Sequence, residues 1–534
     1  MKTSLLFRLS LGLALGLAGP AGFSATETKT PLFTGLSAYT RPVTTAASEA
    51  QHYFDQGLAF DYGFDHEMAI RSFQEATRVD PDCAMAWWGI ANACGPNINW
   101  PMVDPDHAAL AWNAIGKAQA AAAHGTPVEQ ALIRAQAERF AEKYDADRRA
   151  LDEAYANAMR AAWHAHPDDA DVGALFAEAM MDLRPWDQWQ PDGQPQPGTE
   201  EVLAALRTVM QLNEHHPLGV HLTIHATEAS TSPESALPAA NRLRTRRSLI
   251  GHMEHMPSHI DVRVGNWPEA VEANERAIQS DLQYRKLVGP PLGDLWGYFA
   301  HDRHMQAYAA TMTGQSALAL RTIRTMVTEL PADVPPDFIG MVDGFSAMPY
   351  EVLIRFGKWD EILAEPAPNE KYGFSILLRH AARGIALAAK DKVPADATFS
   401  VTKITDLMAV AEHMLAGEIL FREGKTDAGL AELREAVKSE DALHYDEPPG
   451  WIIPVRHSLG ASLLQAGRYA EAEQVYRADL RKLPANGWSL FGLAESLDVQ
   501  GKKTEAKVVR AQFKKIWARG DVTITSSCFC FPGK

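Results

Sequence analysis

The chain is short of the features that usually announce a function. Four cysteines in 534 residues are too few for a fold stapled by disulfides. Cys83 and Cys94 stand eleven positions apart on a predicted helix, about 16 Å at helical rise, beyond the reach of one disulfide. Cys528 and Cys530 lie in the tail, where both a disulfide and metal ligation stay open. Basic charge is also scarce: 51 Lys and Arg against 67 Asp and Glu give a net charge of −16. With no basic stripe, nucleic acid and anionic membrane are poor candidate partners. Strand-like alternation is rare, which leaves an all-α fold. A phosphate-cradling glycine loop, a Gly-x-Ser-x-Gly elbow and a haem-attachment motif are missing, so those chemistries have no footing.

Long apolar runs are missing too, apart from residues 9–18. These follow Lys2 and Arg8 and precede Gly19, Pro20 and small residues through Ser24 and Ala25. The run is too short to span a bilayer and has the layout of a secretory signal, residues 1–24. The expectation is an exported protein, periplasmic or secreted, without a membrane anchor.

What is present is a repeat. Tyr53, Gly57, Phe60, Ala69, Phe73, Ala76 and Pro81 alternate large and small packing positions, and Pro81 stops a helix. Six glycines are each followed five residues later by a small or apolar residue: Gly265, Gly314, Gly357, Gly424, Gly467 and Gly501. The last two are 34 residues apart, the period of a tetratricopeptide (TPR) hairpin. The chain resembles the TPR superfamily on these residues, most clearly over 50–95 and 410–517. Three segments are also similar to a group of exported bacterial TPR-like proteins: 80–89 (DPDCAMAWWG), 251–260 (GHMEHMPSHI) and 446–451 (DEPPGW). The resemblance implies a right-handed α-solenoid of stacked antiparallel helix pairs, with irregular insertions in the middle, whose first helices line a concave surface. It implies no reaction. The organisation expected is an extended linker at 25–48, TPR-like repeats at 49–125, degenerate repeats at 126–400, regular repeats at 401–517 and a tail at 518–534.

Histidine supplies the candidate chemistry. An even spread of the nineteen histidines would put about three between 221 and 304; seven are there. His221 and His225 recur 34 residues later as His255 and His259. His255 and His304 each stand ten residues before a turn glycine, and His252 and His301 correspond in the same way. Spacings of three and four put His221, His225 and Glu228 on one helix stripe, and His252, His255 and His259 on another. Glu351 precedes Gly357 as His259 precedes Gly265. Neutral imidazole is the commonest protein metal ligand, so the nine residues predict a His/Glu metal site on the concave surface. Zinc or copper suits it, and more than four ligands leave room for two ions. Met253, Met256 and Met305 flank the histidines, but their spacing reads more plainly as core packing.

Two readings compete with this one. A TPR groove lined by histidines would dock a peptide or protein partner with no metal at all. A metal-dependent hydrolase would use Glu228 or Glu351 as general base. Pro257 interrupts the second histidine run, so the helix must kink or restart there. Outside the cluster, His107, His124, His164, His166, His215 and His216 read as surface groups. The turn-rich stretch 95–101 and the acidic stretch 446–449 with Trp451 are secondary candidates, each read first as a brace between repeats.

Overall fold

The computed structural model describes residues 29–36, 38–144, 147–289, 295–332, 336–382 and 398–528, and the fold is that of the unit beginning at Leu32. The predicted signal segment, Cys530 and the centre of the proline-rich 331–336 insertion lie outside the described residues. Among the described residues the fold is all-α and TPR-like, built of helices packed pairwise across short turns. Strand pairing there comprises Thr398–Phe399 against Thr402–Lys403 and a single bridge between Trp189 and Pro195.

The two ends repeat one packing device. Ser48–Asp61 and His66–Val79 form a hairpin, followed by Ala84–Ala93. Phe73 wedges between Gly57 and Gly89, where an added Cβ would come within 2.4 and 2.6 Å of its ring. Far along the chain, Tyr476 of Tyr469–Lys482 wedges between Gly460 of Val455–Gln465 and Gly492 of Gly487–Val499, at 2.4 and 2.1 Å. An aromatic on each second helix thus needs a bare backbone on both neighbouring first helices. All six turn glycines adopt positive φ, between 62° and 84°, the left-handed backbone that ends a helix and that a Cβ resists.

The central helices depart from this pattern. Gly251–His255 and Pro257–Val264 are two short helices in line, divided where Pro257 has no N–H to give. They are buried on every side. Met256 and Ile260 pack with Val220 and Ile224, while Met253 and Met305 join the two larger cores. The methionines are therefore core residues, as their spacing suggested. Cys83 and Cys94 cap the two ends of Ala84–Ala93 as free, buried thiols.

The clustered histidines are enclosed. His221, His225, His252, His255, His259 and His304 are buried, and His301 is half-buried. Three irregular stretches reach the same space from the 95–101 loop, the 186–197 insertion and the 446–448 turn. The 186–197 insertion is pinned to the histidine helix by Trp189, whose Nε1 donates to Ala226 O at 2.9 Å. His216 is also buried rather than exposed, against Asp171.

Candidate metal centre

The helix Pro217–Glu228 starts with Pro217 in its first turn and His216 as its cap, with His216 Nδ1 accepting from Gly219 N at 3.0 Å. It carries His221, His225 and Glu228 on one stripe. Gly251–His255 supplies His252 and His255, Pro257–Val264 supplies His259, and Leu295–Met312 supplies His301 and His304. Gly251 is required by close packing, since a Cβ there would meet Asp281 Oδ1 at 1.9 Å.

The imidazoles are oriented in one sense. His221 Nδ1 donates to the Tyr62 carbonyl at 2.8 Å and His225 Nδ1 to Glu228 Oε1 at 2.8 Å. His255 Nδ1 donates to Asn274 Oδ1 at 2.6 Å, while the Asn274 amide donates to Ala270 O and so fixes that oxygen's side. His259 Nδ1 donates to Glu447 Oε2 at 2.8 Å, and Glu228 Oε2 lies 2.5 Å from the same nitrogen, off the hydrogen-bond direction. In His221, His225 and His255 the proton is held on Nδ1, which leaves Nε2 as a lone pair; His259, set between two carboxylates, carries a proton on both nitrogens. An oxygen behind each ligating ring is the usual environment of a metal-bound histidine.

The Nε2 atoms converge. His221 Nε2 lies 3.1 Å from His252 Nε2, and His255 Nε2 lies 2.7 Å from His259 Nε2. His225 Nε2 and His252 Nδ1 are buried with no hydrogen-bond partner. Two tetrahedral ligand nitrogens on one zinc ion would stand about 3.3 Å apart, close to the first separation. Four overlapping groups have ligand atoms all within 4.8 Å of one another. They are His221, His225 and His252; His255, His259 and His301; His225, Glu228 and His259; and His252, His255 and Asp302.

Electrostatics divides the cluster unevenly. Burial, and then the neighbouring imidazoles, hold His221, His225, His252, His255 and His301 well below the usual histidine range. Burial alone takes His304 down to about 3. Burial opposes charge on His259 too, but Glu228 and Glu447 outweigh it and raise that ring to about 10. The cluster is therefore neutral imidazole throughout except at the ring between two carboxylates.

Two predicted members stand apart. His304 packs its ring against Phe345 and Phe399, and its Nε2 is buried without a partner, yet it belongs to none of the ligand groups. Glu351 also lies outside them. Its Oε2 accepts from Ile452 N at 3.3 Å, and burial raises its carboxyl to about 8. Neither Glu228 nor Glu351 lines the cavity beside the histidines, so neither is placed as a general base toward a molecule there.

Sequence reading missed Asp302 and undervalued Glu447. Asp302 Oδ1 is 3.3 Å from His255 Nδ1, and burial raises its carboxyl in a shared-proton pair with Asp281. It neighbours His301 and stands two residues before His304, a signal that was available. Glu447 comes from a distant turn, and only the fold brings it to His259.

The cavity encloses about 140 Å³ and is lined by His225, His252, His259, His301 and His304. Its other walls are largely aromatic, with Trp100, Trp186, Tyr298, Phe345 and Phe399. Among the described residues, four non-glycine residues have positive φ: Phe64, Trp186, Ser400 and Ala485. Trp186 and Ser400 line the cavity, and the Phe64 ring lies 4.4 Å from the His221 ring at a tilt of 51°. Such backbone costs about 1–3 kcal/mol per residue and gathers at functional sites.

No family model matches the chain, and no curated protein matches it. Several solved structures are similar to it. The human IFIT1 dimer with m7Gppp-AAAA has 12% identity over 89% of this chain and 92% of that one, at a TM-score of 0.35. The APC/C hetero-tetramer Cut9–Hcn1 has 12% identity over 88% and 73%, at 0.32. The P58(IPK) TPR domain has 11% identity over 87% and 92%, at 0.21. At these scores they carry no argument about the site. Among the described residues, no helix is long and apolar enough to cross a membrane.

Proposed function

We propose that this is a transition-metal-binding protein on a TPR-like scaffold, with the metal held by the buried histidine cluster. One observation carries the reading. Four rings, His221, His225, His255 and His259, each give their Nδ1 proton to an oxygen and turn Nε2 toward other imidazoles. Bringing neutral imidazoles together in a protein interior is costly unless their lone pairs find partners. Hydrogen bonds among the rings answer only part of that need, because His225 Nε2 and His252 Nδ1 stay unpartnered. A metal ion would take up the converging Nε2 lone pairs, that of His225 included.

In this reading Glu228 orients rather than ligates. Its two oxygens face Nδ1 of His225 and of His259, which leaves both Nε2 atoms free for metal. The ligand chemistry, rich in imidazole and poor in ligating carboxylate, suits copper or zinc over magnesium or calcium. The pattern of residues 1–25 is consistent with export of the same protein.

The test is elemental analysis of untagged protein purified without chelator, and of stripped protein reloaded with Zn(II) or Cu(II). At least one tightly held ion per chain is expected. Protein that holds none in either form would overturn the proposal, and a histidine-lined peptide groove would then lead.

A further inference from the structure

Which ligand sets can be filled together is a geometric question. Of the four groups, His221/His225/His252 and His255/His259/His301 share no residue, and between them they use six of the seven clustered histidines. The other two groups each borrow from both of these sets. We infer that the protein holds two transition-metal ions side by side, one in each three-imidazole set. This rests on the metal-binding reading above and sharpens it from a site to a pair.

Three further observations favour a pair. First, the sets touch: His225 and His259 have ring centroids 5.2 Å apart, and His252 and His255 lie 5.7 Å apart. Second, Glu228 reaches across, with one oxygen on a ring of each set. One carboxylate thereby accepts from a ligand of one ion and sits against the charged ring of the other, whose orientation Glu447 holds. Third, both sets open on the same cavity, His225 and His252 from one and His259 and His301 from the other. Three protein ligands leave a coordination position vacant on a four-coordinate ion. Both vacant positions would face the aromatic-walled space, so a small donor molecule entering there could bind the two ions at once. Two dications also need compensation, and Glu228, Glu447 and Asp302 supply buried carboxyl groups against the rings.

Cu(II) is the probe for the test, because two Cu(II) ions this close couple magnetically. Stripped wild-type protein titrated with Cu(II) is expected to bind two ions per chain. Its electron paramagnetic resonance signal should be broadened or lost at the second equivalent. His221→Gln and His301→Gln should each retain one ion, with an uncoupled mononuclear spectrum. Wild-type protein that saturates at one ion overturns the pair while leaving the metal-binding reading intact. Wild-type protein that binds none overturns both. Two ions with uncoupled spectra would place them in separate sites and also overturn the pair. Should a glutamine variant lose its helical circular dichroism, the wild-type stoichiometry and coupling still decide.

Discussion

This protein buries histidine in two ways. His216 and His457 each sit alone in a polar network centred on one carboxylate. Asp171 accepts from His216, Arg41, Tyr39 and Tyr62; Asp479 accepts from His457, Asn486 and Ser489. Between them lies the cluster, where imidazoles face imidazoles and the carboxylates stand behind the rings. His216 has both ring nitrogens satisfied, by Asp171 and by Gly219 N, and needs nothing more, whereas His457 keeps a buried Nδ1 without a partner beside its bond to Asp479. Rings that turn lone pairs toward one another have a need that protein groups alone leave unmet. The same chain thus contains its own control for the ordinary structural use of a buried histidine.

The sharpest way to break that comparison is to delete from each class. The double substitution His255→Ala with His259→Ala should abolish stoichiometric metal and leave helix content largely intact. Asp171→Ala should do the reverse, leaving metal content unchanged while taking the acceptor from the buried Tyr62 hydroxyl and His216 and leaving Arg41, only 10% exposed, with Asp169 as its remaining carboxylate. Breaking a buried pair of this kind costs about 3–5 kcal/mol. Elemental analysis and denaturant titration on both variants check it. If the double mutant keeps wild-type metal, the two classes of histidine are one.

A second contrast lies inside the cluster, and it is read in protons. His259 is raised to about 10 by Glu228 and Glu447, so at pH 7.5 the empty site carries one imidazolium there. The rings lowered by burial are already neutral and have nothing to release. Metal must displace the His259 proton to gain Nε2, so binding should liberate about one proton per chain. Calorimetry in buffers of different ionisation enthalpy measures this directly. Zero release, or three or more, would contradict the charge assignment. The lowered rings also predict that metal is retained well below pH 6.5, where ordinary histidines would give it up.

The lone-histidine network should fail differently in acid. Asp171 is buried, which by itself raises a carboxyl, but His216, Arg41 and Tyr39 hold it far below its usual range. A carboxylate lowered in the folded state gives stability that is full above its unfolded value, about 3.9, and lost as pH falls below that. The stability gap between wild type and Asp171→Asn should therefore be constant from pH 7 to about 5 and shrink below pH 4. Urea melts at several pH values, read with metal-free protein, would show it. A gap that instead widens in acid would mean Asp171 is protonated in the native state.

How much of this was legible in the sequence depended on how local the signal was. The turn glycines marked turns, and all six end helices on left-handed backbone, because the demand falls on a single residue. The histidine register was legible because helix periodicity and repeat period are both written along the chain. Its partition into two sets was not, since that depends on how Gly251–His255 and Pro257–Val264 rotate against Pro217–Glu228. Glu351 matched the register and still fell outside every ligand group, held by Ile452 N from a distant turn. Glu447, Trp186 and Trp100 reach the cavity from irregular stretches whose positions no periodicity encodes. The cavity beside the histidines could not be read for the same reason: the insertions that interrupt the repeats help to line it.

The smallest expected effect concerns backbone strain. Phe64, Trp186 and Ser400 hold positive φ beside the histidines, whereas Ala485 holds it, at 55°, in the turn between Tyr469–Lys482 and Gly487–Val499. If strain at the first three serves the site, relieving it at Ala485 should be neutral for metal and slightly favourable for folding. A left-handed Ala costs about 1–2 kcal/mol, and Gly returns about 0.5–1 kcal/mol of that through its freer unfolded chain. Ala485→Gly is thus expected to raise stability by somewhat under about 1 kcal/mol, with unchanged metal affinity. Trp186→Gly relieves the same strain but removes the ring 5.4 Å from His225, so it should weaken metal retention whatever it does for folding. Isothermal denaturation and a competition titration against a chromogenic chelator, run on the two variants together, separate the effects. Equal metal affinity in both would mean that the strained aromatic beside His225 is there for packing alone.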